Sequence, residues 1–220
     1  REGIFLEHLN LILKKIPRLI MGFIIIAFGT NMTRYSGLGL NPWGTLHEGI
    51  SIVTGISFGR VTQLTGVAVL LLSLFIKLYP GIGTILNMFF IGFFVDLIDK
   101  LGIIPRVDMI SGKMLYLLLG MFLFNFGVYI YMSGRLGAGP RDGLMVGLVR
   151  LTGKPVSIVR PAMEFTVIAL GILLGGTFGI GTIINAFGGG YMLNFIFKHF
   201  NYDPSINKNI ALARAVKEPA

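Results

Sequence analysis

The sequence predicts an all-α, polytopic transmembrane helical bundle built from two homologous halves, each with a short helix of its own. Three observations lead there: an apolar composition, a series of long charge-free runs, and self-similarity at one constant offset. Of 220 residues, 54% are hydrophobic and 13% charged, and the mean hydropathy is +0.78. That lies outside the soluble globular range. Charge-free runs cover Leu19–Thr33, Val61–Ile76, Leu78–Val95, Met114–Gly134 and Phe165–Phe197. About 20 apolar residues cross a bilayer, and flanking Lys or Arg complete a shorter run by reaching to the interface. The last run is long enough for nearly two crossings, with a turn expected at Gly175–Gly181.

Moving the chain by 98 residues aligns Gly39 with Gly137, Pro42 with Pro140, Leu46 with Leu144 and Gly49 with Gly147. Thr54-Gly55 falls on Thr152-Gly153, Gly81-Ile-Gly83-Thr84 on Gly179-Ile-Gly181-Thr182, and Asn87 on Asn185. Earlier in each half, Gly22 meets Gly120 and Phe28-Gly29 meets Phe126-Gly127. Hydrophobicity alone aligns some leucines, but not two proline turns, a Thr-Gly pair and a GIGT tetrad without a gap. Residues 1–220 therefore read as one integral domain with repeats at 17–100 and 115–198 and a polar C-terminal tail at 199–220.

The elements follow in order. Residues 1–18 fit an amphipathic interfacial helix with Phe5, Leu9, Ile12 and Ile16 on one face, or equally a helical lead-in. No cleavable signal pattern is expected, since no small-residue cleavage site follows the first apolar run. Long first helices are expected over 17–34 and 114–133. LGLNPWGTLHEG (38–49) and LGAGPRDGLMVG (136–147) then open short helices at 42–55 and 140–153. Each proline suits a first helical turn, where its missing N–H is unneeded, and Gly37, Gly39, Gly137 and Gly139 permit tight turns. Further helices are expected at 59–78 and 157–175 and, after GIGT, at 82–99 and 180–198.

The short segments decide topology. If they span, the halves have four crossings and run parallel; if re-entrant, three crossings and inverted. With the N-terminus inside, eight crossings leave Arg34, Lys77, Arg135 and Arg141 outside, and six leave Arg34, Arg60, Lys100, Arg106 and Lys113 outside, among 19 basic residues. The positive-inside rule does not separate these. Fourteen residues rise only about 21 Å, which opposes full crossing. The basic link Lys100–Lys113 sits better in the cytoplasm, which favours eight helices in parallel halves. Both termini are expected to be cytoplasmic, in a bacterial plasma membrane.

A cysteine-free chain has no disulfide, thiolate catalysis, Fe–S cluster or cysteine-ligated zinc. His8, His47 and His199 are too scattered for a metal site. No nucleophile–base set or nucleotide motif marks an enzyme, and no cofactor is expected. The net charge of +9 is spread between apolar runs, which indicates anionic lipid at basic loops rather than nucleic acid.

Candidate substrate-binding residues are Asn87, Asn185, Asp142, Arg141, His47, Glu48 and Glu164. A helix that starts inside a membrane protein presents free N–H groups to an anion or polar atom. Arg141-Asp142 replaces Trp43-Gly44; Trp43 reads as an interface anchor, and Asp142 as a first-turn carboxylate pairing with Arg141 or Arg135. His47 and Glu48 are titratable neighbours about 100° apart on a helix. Glu164 follows Arg160 by four residues, so an ion pair is available. Asn87 and Asn185 need partners across helices, lining a cavity or pinning the halves together. Gly39, Pro42, Gly137, Pro140, Gly81, Gly83, Gly179 and Gly181 form the structural motif. Gly188, Gly189 and Gly190 allow close packing or bending.

These motifs resemble the bacterial YczE/YyaS/YitT membrane-protein family, in its YczE-like branch. The shared pattern is Gly37-Leu-Gly39, Pro42-Trp43-Gly44, Leu46, Gly49 and Thr54-Gly55, then Gly81-Ile-Gly-Thr84 and Asn87. The resemblance covers about 17–198; the second copy departs from it at Arg141. It implies a multi-pass bacterial plasma-membrane protein and carries over no catalytic set. A small-solute transporter with a site at the repeat interface is the leading reading. A non-catalytic accessory or partner-binding membrane protein is the alternative, and a polar cavity between the halves separates the two.

Overall fold

The computed structural model describes residues 2–76, 80–137 and 139–203, with side chains from residue 12 onward. The tail beyond residue 203 and the side chains of Phe5, His8 and Leu9 lie outside the described residues. The chain is all α. Its helices are α1 Glu2–Ser36, α2 Pro42–Thr54, α3 Phe58–Phe75, α4 Ile82–Leu101, α5 Ile110–Met132, α6 Pro140–Thr152, α7 Val156–Leu173 and α8 Ile180–His199. Among the described residues, α3, α4, α5, α7 and α8 are long and apolar enough to cross a membrane. Helix α1 starts well before residue 17 and runs unbroken through Pro17, so the backbone follows the lead-in alternative.

Both short helices have proline in the first turn and end on a left-handed glycine, Gly55 (φ 70°) and Gly153 (φ 64°). That conformation suits glycine because it lacks a Cβ. Asn41 caps α2 by accepting from the Gly44 N–H at 2.8 Å. Gly139 stands in the cap position of α6 with no side chain to do the same.

Helices α1 and α5 cross at glycines. A Cβ on Gly22 would lie 2.9 Å from the Gly127 carbonyl oxygen, and one on Gly29 2.6 Å from that of Gly120. An early residue of each helix thus meets a late residue of the other, so α1 and α5 are antiparallel. Helix α4 runs with α1: Asn31 Nδ2 donates to the Val95 carbonyl at 2.9 Å, and Arg34 pairs with Asp99 at 3.2 Å. Helix α3 runs against α4, with Gly59 on Gly92 and Gln63 Nε2 donating to the Phe89 carbonyl at 2.8 Å. The expectation of parallel halves is therefore corrected. Parallel halves need α1 and α5 to point the same way, and the close glycine contacts hold them opposed. Loop charge had too small a bias to show this.

Packing recurs in pairs, an internal pseudosymmetry. Helix α1 packs on α4 as α5 does on α8, and α2 packs on α7 as α6 does on α3. Two clasps tie the halves together: the Gly181 N–H donates to the Leu38 carbonyl and the Gly83 N–H to the Leu136 carbonyl, each at 2.8 Å. Gly39 (φ 112°) and Gly137 (φ 142°) bring the opening motifs close enough for this. A Cβ on either would strike Thr182 Oγ1 or Thr84 Oγ1, at 2.5 and 2.8 Å.

One pair of seams breaks the pattern. Helices α3 and α4 pack closely, and α7 and α8 have no comparable packing. Asp96 closes the first seam by accepting from Ser57 Oγ (2.5 Å) and the Gly59 N–H (2.7 Å).

Replacing Gly120 with Val should lower the unfolding free energy by about 1–3 kcal/mol through overpacking at the α1–α5 crossing; thermal unfolding in detergent measures it. In the same assay Asp96→Ala should cost about 1.5–3 kcal/mol, the scale of charged hydrogen bonds. Asn194→Ala, at the matching position, should change stability by less than about 0.5 kcal/mol.

Candidate functional site

A cavity of about 580 Å³ lies between the halves. The first turns of both short helices line it, Asn41–Gly44 from α2 and Gly139–Asp142 from α6. These turns bring the positive ends of two helix dipoles to one space, although the Gly44 N–H is taken by Asn41 and the Asp142 N–H by the Gly139 carbonyl. Helices α3, α4, α7 and α8 contribute Thr62 and Thr65, Asn87, Arg160 and Glu164, and Asn185 and Asn194. Apolar surface from Ile26, Met88, Ile91, Phe124, Val128, Met163, Leu193 and Phe197 completes the wall.

The Arg141 guanidinium lies 5.0 Å from the centre of the Trp43 ring, a cation–π distance. Trp43 is only 8% exposed. Its expected place as an interface anchor is therefore corrected: it faces the cavity because the α2 first turn points inward. Asp142 forms no ion pair with Arg141 in the structure, also against expectation, because adjacent helical residues diverge. Its carboxylate turns back towards Gly139. A Cβ at Gly139 would lie 3.3 Å from Tyr131 Oη, 3.6 Å from Asp142 Oδ2 and 4.0 Å from Asn87 Nδ2. A hydroxyl, a carboxylate and an amide therefore converge at the start of α6. Arg160 donates to Glu164 at 3.1 Å, so that pair largely neutralises itself at the cavity edge.

His47 is 3% exposed and held at both ring nitrogens. Thr62 Oγ1 lies 3.1 Å from Nδ1 and Thr65 Oγ1 2.8 Å from Nε2. Each threonine hydroxyl is also 2.9 Å from a carbonyl one turn back, Phe58 or Val61. A neutral imidazole donates from one nitrogen and accepts at the other. One threonine hydroxyl then donates a hydrogen bond to the unprotonated ring nitrogen, and the other accepts from the ring N–H and keeps its helix bond. The ring is also set edge-on to Phe58 at 5.8 Å. Its adjacent residue serves a different purpose: Glu48 Oε2 accepts from the Thr177 N–H at 2.7 Å, tying α2 to the α7–α8 turn. Glu48 does not line the cavity.

Of the sequence-predicted residues, the cavity brings together Asn87, Asn185, Arg141, Asp142, His47 and Glu164. Asn185 does not reach across helices; its amide donates to the Gly181 carbonyl of its own helix at 2.9 Å. Pro42 and Pro140 line the cavity, whereas Gly39, Gly81, Gly83, Gly137, Gly179 and Gly181 form the clasps beside it. Sequence reasoning missed Tyr131, Asn125, Thr62 and Thr65. Tyr131 and Asn125 sit in a helix apolar on every side, where periodicity marks no face. The threonines become visible only once His47 is placed between them.

Thr62→Val with Thr65→Val should cost about 1–3 kcal/mol, because the buried imidazole loses its partners. Adding His47→Phe should recover part of that loss by removing the stranded polar group. Thermal unfolding of the three proteins checks the order.

Comparison with known proteins bears out the resemblance to the YczE/YyaS membrane-protein family. Residues 13–198 match the model of a family of unknown function, DUF6198. An uncharacterized protein of Haemophilus influenzae is 37% identical over 182 residues, covering 83% of each chain. The membrane protein YczE of Bacillus subtilis is 37% identical over 176 residues, covering 79% of this chain and 81% of its own. YyaS of the same organism is 25% identical over 178 residues, covering 79% and 88%. No solved structure matches.

Proposed function

The chain belongs to the DUF6198 family, and on that premise we propose that it carries a small polar or anionic solute across the bacterial plasma membrane. The observation that carries this reading is the cavity between the halves, entered by the first turns of both short helices. Broken or short helices facing a midplane site are a recurring transporter device. A non-catalytic protein needing only a helical docking surface has no use for a cavity between its halves lined by Arg141, Asp142 and Asn87. The unpacked faces of α7 and α8 are the one feature that favours the accessory alternative.

In this reading the chain is one domain duplicated at an offset of 98 residues, with six crossings and inverted halves. The antiparallel α1 and α5 and the paired clasps support it. Helices α2 and α6, 13 residues each, rise only about 20 Å and enter from opposite sides without crossing. With the N-terminus inside, Arg34, Arg60, Lys100, Arg106 and Lys113 face outward, and Lys14, Lys15, Arg18 and Arg150 are placed to meet cytoplasmic anionic lipid. Arg141 supplies the positive charge for the solute. Asp142, Tyr131 and Asn87 supply hydrogen-bonding groups beside it, and Glu164 and Asn185 complete the polar lining.

A thermal-shift screen of purified protein against small anions and zwitterions tests the reading. A true ligand at about 100 times its Kd stabilises the fold by about 2.7 kcal/mol, and Arg141→Gln should remove that shift. Liposomes holding the protein should then move the same ligand. If no compound shifts the unfolding temperature and none crosses the liposome membrane, the transport reading fails.

A further inference from the structure

The helices around the cavity form a ring with one gap. Packing joins α1 to α4, α4 to α3, α3 to α6, α6 to α7, α8 to α5 and α5 to α1. Neighbouring α7 and α8 lack such packing on each other, although α2 packs against both and is bonded to the turn that joins them, through Glu48 and Thr177. Both are long and apolar enough to cross a membrane, so the gap between them faces hydrocarbon. On its α8 side stand Gly189 and Gly190, which line the cavity and where a Cβ would meet nothing within 4 Å.

The gap is written into the sequence. The corresponding seam, α3–α4, closes through Gly59 on Gly92, through Gln63 and through the Asp96 bonds to Ser57 and Gly59. Ninety-eight residues on, the matching positions are Ser157, Pro161, Asn194 and Pro155. A serine Cβ obstructs the approach that Gly59 allows. Proline has neither the amide of Gln63 nor the hydroxyl of Ser57, and an Asn amide is a weaker acceptor than a carboxylate. The second seam therefore has none of the groups that seal the first.

Behind the gap the cavity combines a charged end with a long apolar wall that includes Met163, Leu193 and Phe197. Among the described residues, the Arg141 guanidinium makes no salt bridge; it lies over the Trp43 ring and feels the Asp142 and Glu164 carboxylates only through space. We propose that the α7–α8 seam is a lateral portal through which an amphiphile with an anionic head enters from the bilayer. The head meets Arg141, and the tail lies along the apolar wall and in the seam. This rests on the transport reading and specifies its solute and its route.

Trp43 is the sole tryptophan, so intrinsic fluorescence reports on the cavity directly. In vesicles of phosphatidylglycerol brominated on the tail, Trp43 should lose most of its emission relative to unbrominated vesicles. Gly189→Leu with Gly190→Leu fills open space rather than packed core and should restore the emission, as should Gly190→Leu alone in part. Brominated phosphatidylcholine should quench less than brominated phosphatidylglycerol, and Arg141→Gln should abolish that difference. Quenching by aqueous iodide without quenching by brominated tails would overturn the portal but leave a transporter of water-borne solutes standing. Equal quenching by both lipids overturns the anionic-head assignment. No quenching by brominated tails, as when a second copy seals the seam, or quenching unchanged in the leucine variants, also overturns the portal.

Discussion

The structure depends on two backbone hydrogen bonds that cross between the halves, Gly181 to Leu38 and Gly83 to Leu136. Within a bilayer an unpaired N–H or carbonyl costs several kcal/mol, so non-helical backbone survives there only with partners. The stretches leading into α2 and α6 are non-helical backbone set among helices long and apolar enough to cross a membrane. Each half leaves its opening loop incomplete and receives the missing partner from the GIGT turn of the other. Left-handed Gly39 and Gly137, and small Gly81 and Gly179, allow the two chains to come that close. The α1–α5 glycine crossing then holds the halves at the distance the clasps require.

The cavity follows from this arrangement. Clasped loops direct the first turns of α2 and α6 inward from opposite sides, so Trp43 and Arg141 meet. Pseudosymmetry would put like groups at both ends, and two arginines or two tryptophans would not make the same contact. The divergence of Arg141-Asp142 from Trp43-Gly44 turns a repeated scaffold into a polarised site. Divergence acts a second time at the seams. Asp96 and Gly59 lock α3 onto α4, and their counterparts leave α7 and α8 apart. The same backbone plan therefore gives a tightly packed seam on one side and a loosely packed one on the other.

Much of this was legible in the residues. Helix positions followed from apolar runs and from Pro and Gly punctuation, and most boundaries moved by only a few residues. The repeated motifs marked structurally matched places, and six of the seven suspected binding residues line one cavity. Glu48 was the exception, since a carboxylate beside His47 looked like part of a titratable pair. On a helix the two side chains diverge, and Glu48 reaches the Thr177 N–H instead. Trp43 was misplaced for a related reason: membrane interfaces and polar cavities both accept an amphipathic ring, and composition does not choose between them.

The sequence by itself determined an all-α membrane bundle, its internal likeness and the residue types available for chemistry. These depend on local quantities: hydropathy over a helix length, proline at helix starts and glycine at helix ends. Tertiary structure decided the direction of one half relative to the other, the partners of the GIGT turns, the threonine clamp on His47 and the gap between α7 and α8. Each of these joins residues far apart in the chain. The glycines at 22, 29, 120 and 127 allow close approach equally well for parallel or antiparallel helices. Only the packed geometry shows which carbonyl each one meets.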